Sequence, residues 1–216
     1  MTDNIIPFNP LDKRNLGANV AEALLSRRIH PLGEIPEFEG AGIYAIYYTG
    51  EFPAYAELSA RNQEDRFGAP IYVGKAIPAG ARKGGGVGAK GTGRYLFNRL
   101  AEHADSVSVA SNLNLADFHA RFLVVDDIWI PLGESLIIAR YSPLWNALID
   151  GFGNHDPGKG RYEGMRPRWD VLHPGRSWAM RCRERQETAK EIAREVVNFL
   201  RMAIYPTSIR FIDEDE

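Results

Sequence analysis

Gly42-Ile43-Tyr44-Ala45-Ile46-Tyr47-Tyr48 and, after a polar interval, Pro70-Ile71-Tyr72-Val73-Gly74 are the stretches on which the fold turns. Both are short, β-branched and aromatic, and both are bounded by Gly or Pro, which predicts strands over 42–48 and 70–74. Residues 51–69 between them, EFPAYAELSARNQEDRFGA, are too long and too polar for a hairpin turn and read as a partly helical insertion. Residues 80–93, GARKGGGVGAKGTG, carry too much glycine for a regular element and read as a mobile basic loop.

Working outward, Arg94 to His103 supplies helix formers, with Leu96, Leu100 and Ala101 spaced to pack on a core. Phe118 to Val125 reads as a third strand. Pro131 suits the first position of a helix running to about Tyr141, which Pro143 stops. Before the first strand there is one modest helical signal, Val20, Ala21, Leu24 and Leu25. Beyond Asp150 polar loops are expected, then a C-terminal helix whose stripe is Ile192, Val196, Phe199, Leu200 and Ala203.

The 216 residues suffice for one good core. No run approaches the ~20 apolar residues of a membrane span, and the first residues lack the charged and apolar regions of a signal peptide, so a cytoplasmic location is expected. The single cysteine, Cys182, excludes an internal disulfide and a cysteine-rich zinc site, and is expected to pack. A net charge of −2 argues against a nucleic-acid partner until its distribution is read. From Lys75 to Arg99 there are six basic residues and no acidic one, and from Lys159 to Arg185 eight basic against three acidic. Local potential decides where a phosphate backbone docks.

Several residues carry chemistry if they meet. Tyr44 and Tyr72 could orient or deprotonate water, although a phenol with a pKa of about 10 is a poor base unless a nearby cation favours the phenolate. Lys75 and His103 are the candidates for that help. Arg99 and His103, four apart, share a helix face. Glu134 is expected in the first turn of its helix, where it is either a helix-dipole carboxylate or a metal ligand. Taken singly, core packing suits the tyrosines, a solvated face suits Arg99 and His103, and a turn or cap suits Asn146. The Gly68 to Lys75 stretch is no P-loop, because its spacing is wrong and Ala76 replaces the needed hydroxyl. The glycines of 84–93 are not placed as a dinucleotide turn, and His119, His155 and His173 show no zinc spacing.

In their order, Tyr44, Tyr72, Arg99, His103, Glu134 and Asn146 resemble the GIY-YIG nuclease superfamily. GAGIYAIYYTG, PIYVGKAIPAG, SPLWNALIDGFGNH and WDVLHPGRSWA are similar to its small Type II restriction endonucleases. The resemblance, which covers roughly residues 38–155, implies an α/β fold with a small, mostly antiparallel sheet flanked by helices. Around it stand an N-terminal arm or accessory helix (1–37), the insertion (51–69), the basic glycine-rich loop (77–93) and a C-terminal extension of DNA-contacting loops and a helix (156–216).

The activity it implies is Mg2+-dependent, sequence-specific cleavage of both strands of double-stranded DNA, leaving 5′-phosphate and 3′-hydroxyl ends. Tyr44 would activate water, Arg99 and His103 would offset phosphate charge, His103 alternatively polarising Tyr44 or the water or hydrogen-bonding the phosphate, Tyr72 and Lys75 would tune Tyr44 and the water, and Asn146 would position. Glu134 would hold one Mg2+ per active site. The resemblance further implies a GC-rich palindromic target of the CCGCGG type and a cognate DNA methyltransferase. A palindrome implies a homodimer, with the arm and insertion as its expected contacts. Arg82, Lys83, Lys90, Arg94, His155, Lys159 and Arg161 are the candidate DNA contacts, with Arg166, Arg168 and Arg176 behind them. The competing readings are a repair or homing nuclease of the same superfamily and a non-catalytic DNA-binding relative.

Overall fold

The computed structural model describes residues 9, 11–78, 93–158 and 160–205. Its strands are β1 (His30–Pro31), β2 (Gly42–Tyr48), β3 (Tyr72–Ala76) and β4 (Phe118–Val124). Its helices are α1 (Lys13–Leu25), α2 (Ala56–Asn62), α3 (Tyr95–Ser108), α4 (Ile130–Tyr141), α5 (Leu144–Ala147), α6 (Arg168–Leu172) and α7 (Ala189–Met202). The strands form one sheet of order β1-β4-β2-β3, antiparallel at every pairing. This is the expected α/β class, with the sheet antiparallel throughout.

All seven residues of β2 are buried, because helices cover both faces of the central strand. Alternation sends Tyr44, Ile46 and Tyr48 into one core with Leu96 and Leu100 of α3, Leu144 and Trp145 of α5, and Ile192, Val196 and Leu200 of α7. It sends Ile43, Ala45 and Tyr47 the other way, against Ala21, Leu24 and Leu25 of α1 and Ile130 and Ile137 of α4. The β2–β3 register sets Tyr44 opposite Gly74 and Ile46 opposite Tyr72. Both tyrosines of the paired motifs therefore share a sheet face, which is the first requirement of a common site.

The insertion is partly helical, as expected: a 3-10 turn, Pro53–Tyr55, runs into α2. Its apolar residues are used inward, since Tyr55 and Leu58 are fully buried. Asn62 anchors its return, donating to the carbonyls of Tyr48 (3.0 Å) and Ala69 (2.8 Å) and accepting from Ala69 N (2.9 Å). The C-terminal helix begins at a capping box in which Thr188 and Glu191 satisfy each other's backbone N–H groups.

Two expectations need correction. The stretch after Asp150 is more than polar loops: it contains α6, and Phe152, Trp169 and Leu172 join the core. Glu134 is not in the first turn of its helix, because α4 begins at Ile130 and its first turn holds no acid. The helix-dipole explanation of Glu134 loses its geometric basis, since that effect is confined to the terminal turn. The glycine-rich loop, with Arg82, Lys83 and Lys90, lies outside the described residues, as does Lys159.

Candidate active site

Tyr44 lies across the neighbouring strand. A Cβ added to Gly74 would stand 2.4 Å from the Tyr44 hydroxyl, so only glycine at the end of Tyr72-Val73-Gly74 leaves room for the phenol of Gly42-Ile43-Tyr44. The hydroxyl then meets His103 on α3, Oη to Nε2 at 2.6 Å. Tyr72 completes the group, its ring centroid 6.2 Å from Tyr44 and 5.3 Å from His103. Tyr44 and His103 are buried, whereas Tyr72 is partly exposed.

Arg99, one helical turn before His103, has its fork engaged three ways. Nη2 donates to the Gly153 carbonyl (2.7 Å), and Nη1 donates to Glu102 (2.9 Å) and to His155 Nε2 (2.8 Å). An arginine has no acceptor, so His155 Nε2 is the accepting atom of that contact. His155, expected among outer DNA contacts, stands beside Arg99. Phe152, on the same loop, stacks on His103 with centroids 4.5 Å apart.

Burial dominates the electrostatics of this group. Burial pushes the Tyr44 phenol well up, with the Tyr72 charge adding, and the opposing pull of Arg99 does not compensate. Tyr72 is raised too, burial again outweighing Arg99. His103 is held well below the usual histidine value, first by burial and then by the Arg99 and Arg176 cations. A neutral His103 cannot offset phosphate charge, but its Nε2 can accept the Tyr44 proton.

Lys75, expected to tune Tyr44, lies on the other face of its strand. Its register partner is Ile43, whose side chain faces the α1/α4 side, and its ammonium pairs with the Glu134 carboxylate. The Asn146 amide accepts from Val73 N and donates to Val73 O, both at 2.8 Å. That double bond fixes β3 between Tyr72 and Gly74.

Glu134 is the one carboxylate among the expected site residues. No cluster of three or more His, Cys, Asp or Glu able to hold a metal occurs among the described residues. A single carboxylate fits Mg2+, which keeps several waters and takes phosphate oxygens rather than an all-protein cage.

Of the basic candidates, Arg94 is exposed and pairs with Glu37. Arg161 lines a cleft of about 380 Å3 with Asn154, His155, Met165 and Trp178. The other three arginines are spent on structure. Arg166 donates to the carbonyls of Ala179 and Met180, Arg168 to Leu148 O and to Glu187 and Glu195, and Arg176 is buried against Asp170. Cys182 is free and buried, as expected.

A second buried histidine, His173, sits between Tyr55 (2.5 Å) and Asn112 (2.9 Å), and burial lowers it to about 3. Both histidines are depressed below the unfolded value of about 6.5. The unfolded chain therefore binds more protons below that pH, and stability present above it is lost as pH falls toward the folded values. Each histidine contributes a slope approaching about 1.4 kcal/mol per pH unit between pH 6 and 5. Urea unfolding at pH 7 and pH 5 measures this; equal stabilities would mean that neither ring is buried neutral.

The phenol lying over the opposing glycine joins Gly42-Ile43-Tyr44 to Tyr72-Val73-Gly74 in space, and that juxtaposition on an antiparallel sheet, with Arg99 and His103 on the crossing helix, defines a GIY-YIG domain. Residues 36–200 match the family described as the Eco29kI GIY-YIG domain. The match takes in most of the chain, which belongs to that restriction endonuclease family and is a nuclease of it. No curated protein matches the chain. No helix among the described residues is long and apolar enough to cross a membrane.

Proposed function

We propose that the protein is a Type II restriction endonuclease making Mg2+-dependent double-strand cuts in a GC-rich palindromic site, leaving 5′-phosphate and 3′-hydroxyl ends. The observation that carries the reading is the hydrogen bond from the Tyr44 hydroxyl to a neutral, buried His103 beside Arg99. A raised phenol need not ionise first. It accepts a proton from water on its lone pair while passing its own proton to His103 Nε2. Burial and Arg99 oppose that transfer in the free chain, and an incoming phosphate, by offsetting Arg99, favours it.

Arg99 exchanges Glu102 for phosphate oxygens, which its planar fork binds in pairs. Glu134 would hold one Mg2+, with Lys75 as the carboxylate's partner in the free chain. A divalent cation there supplies Lewis-acid stabilisation of the departing 3′ oxygen. Tyr72 borders the water site, and Asn146 keeps its strand in place. His155, Arg161 and Arg94 would contact the flanking duplex, and on the sequence reading Arg82, Lys83, Lys90 and Lys159 would join them. A target of the CCGCGG type, a cytoplasmic location, a cognate methyltransferase protecting the site and a homodimer whose two-fold matches the palindrome complete the proposal.

The test is incubation of the purified chain with plasmid DNA and Mg2+, mapping of the ends, and sizing by light scattering with and without a target duplex. Discrete fragments with 5′ phosphates support the reading. Cuts scattered over flaps or branched DNA favour a repair-type nuclease, and binding without cutting a non-catalytic relative. Arg99→Lys keeps the charge but loses the fork, and should slow cleavage about 100-fold or more under single-turnover conditions. A wild-type rate in that variant would remove Arg99 from the phosphate.

A further inference from the structure

Four consecutive peptide carbonyls, those of Gly151, Phe152, Gly153 and Asn154, all end on arginine nitrogens. Gly153 O accepts from Arg99. The other three accept from Arg176: Gly151 O from Nη2 at 2.9 Å, Phe152 O from Nη1 at 3.0 Å and Asn154 O from Nη1 at 3.2 Å. Nε and Nη2 of Arg176 also grip Asp170 at 2.7 and 2.5 Å. All five N–H donors of this guanidinium are thus used. Its side chain is 4% exposed, and it packs over the rings of Trp169 (4.5 Å) and Trp178 (4.8 Å).

The segment held in this way meets the reactive groups at several points. Phe152 stacks on His103 and meets Tyr72 edge-on with centroids 5.0 Å apart, Gly153 holds Arg99, and His155 touches Arg99. Its curvature is specific as well: Gly151 has φ +100°, and a Cβ there would lie 2.1 Å from Pro167. The structure has a second, buried arginine fixing the loop against which the first is aimed.

We propose that Arg176, clamped by Asp170, is a positioning residue for cleavage, setting the 151–155 loop so that Arg99 and His103 hold their reactive geometry. No other side-chain type supplies five donors in a rigid fork, so lysine keeps the charge and loses the clamp. The proposal rests on the cleavage reaction proposed above.

In single-turnover cleavage with saturating enzyme, Arg176→Lys should be slower by about 100-fold, the scale of a misplacement of roughly 1 Å at a reacting group, with specific DNA binding unchanged. The decisive readout is coupling: the double variant Arg99→Lys/Arg176→Lys should be as slow as Arg99→Lys alone, because both changes remove the same alignment. A merely structural role would give losses that multiply, and that result overturns the proposal, as does a wild-type rate for Arg176→Lys. If Arg176→Lys does not fold, Asp170→Asn keeps the carbonyl contacts while weakening the clamp. Its smaller loss should likewise vanish in the Arg99→Lys background, and multiplying losses there count against the proposal. Should neither variant fold, the pair belongs to the fold rather than the site and the proposal falls. A wild-type chain that cuts no DNA overturns this proposal and the function above together, whereas an active wild type with an equally active Arg176→Lys overturns this one alone.

Discussion

Replacing Glu134 with Ala should abolish Mg2+-dependent cleavage while leaving specific DNA binding intact or slightly stronger. Glu134 sits past the first turn of α4, so its removal strips no cap from the helix. Its partner is Lys75, and the two side chains are 17% and 32% exposed. Both are partly buried, so breaking the pair costs more than the ~0–1 kcal/mol of a fully exposed one, but Glu134 is not in the core and the variant should fold. What it loses is the carboxylate proposed to hold the cation. What it gains is a Lys75 ammonium released from its carboxylate partner, which is why binding should not weaken. Glu134→Gln, nearly isosteric, should behave alike. Gel-shift titration without metal and single-turnover cleavage with Mg2+ separate the two effects. Persistent cutting by both variants would take Glu134 out of the chemistry, and lost binding would make the Lys75 pair a structural strut.

Much of this arrangement was legible in the sequence, and the misses have physical causes. The strands and α3 could be read because β2 is apolar throughout and because Leu96 and Leu100 share a helical face. β1 could not, since His30–Pro31 is a strand only through its pairing with β4. The 150–188 region looked like polar loops because arginines count as polar in any pattern. In the folded chain Arg166, Arg168 and Arg176 donate to backbone carbonyls, and Arg176 also to the buried Asp170 carboxylate, so the polar composition is the means by which an irregular segment joins the core. The identity and order of Tyr44, Tyr72, Arg99, His103, Glu134 and Asn146 were legible too. Their partners were less so. Alternation along β3 already separates Tyr72 and Gly74 from Val73 and Lys75, and that period-two signal could have placed Lys75 away from Tyr44. Nothing local in Trp169-Asp170-Val171-Leu172-His173-Pro174-Gly175-Arg176 announces a clamp on a loop some 20 residues earlier in the chain.

Tyr44→Phe is expected to cost cleavage a factor of about 10^2 to 10^4, the range for a lost general acid–base group. From sequence alone the change looks harmless to stability, since one oxygen is removed from an aromatic ring. The structure argues otherwise. The Tyr44 hydroxyl is the partner of His103 Nε2, and His103 is 1% exposed. Leaving that nitrogen buried and unsatisfied costs about 1–3 kcal/mol, so the variant should unfold at lower temperature as well as cut slowly. Assays well below its melting temperature keep the two effects apart. Tyr72→Phe is the necessary comparison, because Tyr72 is the phenol that solvent reaches in the free chain and Tyr44 is wholly buried there. If Tyr44 takes the proton from water and hands its own to His103, Tyr44→Phe must be the slower enzyme of the two. Should Tyr72→Phe prove slower, with Tyr44→Phe losing only stability, the water belongs to Tyr72. Tyr44 and His103 would then be the buried support beneath it, holding its strand in register rather than moving the proton.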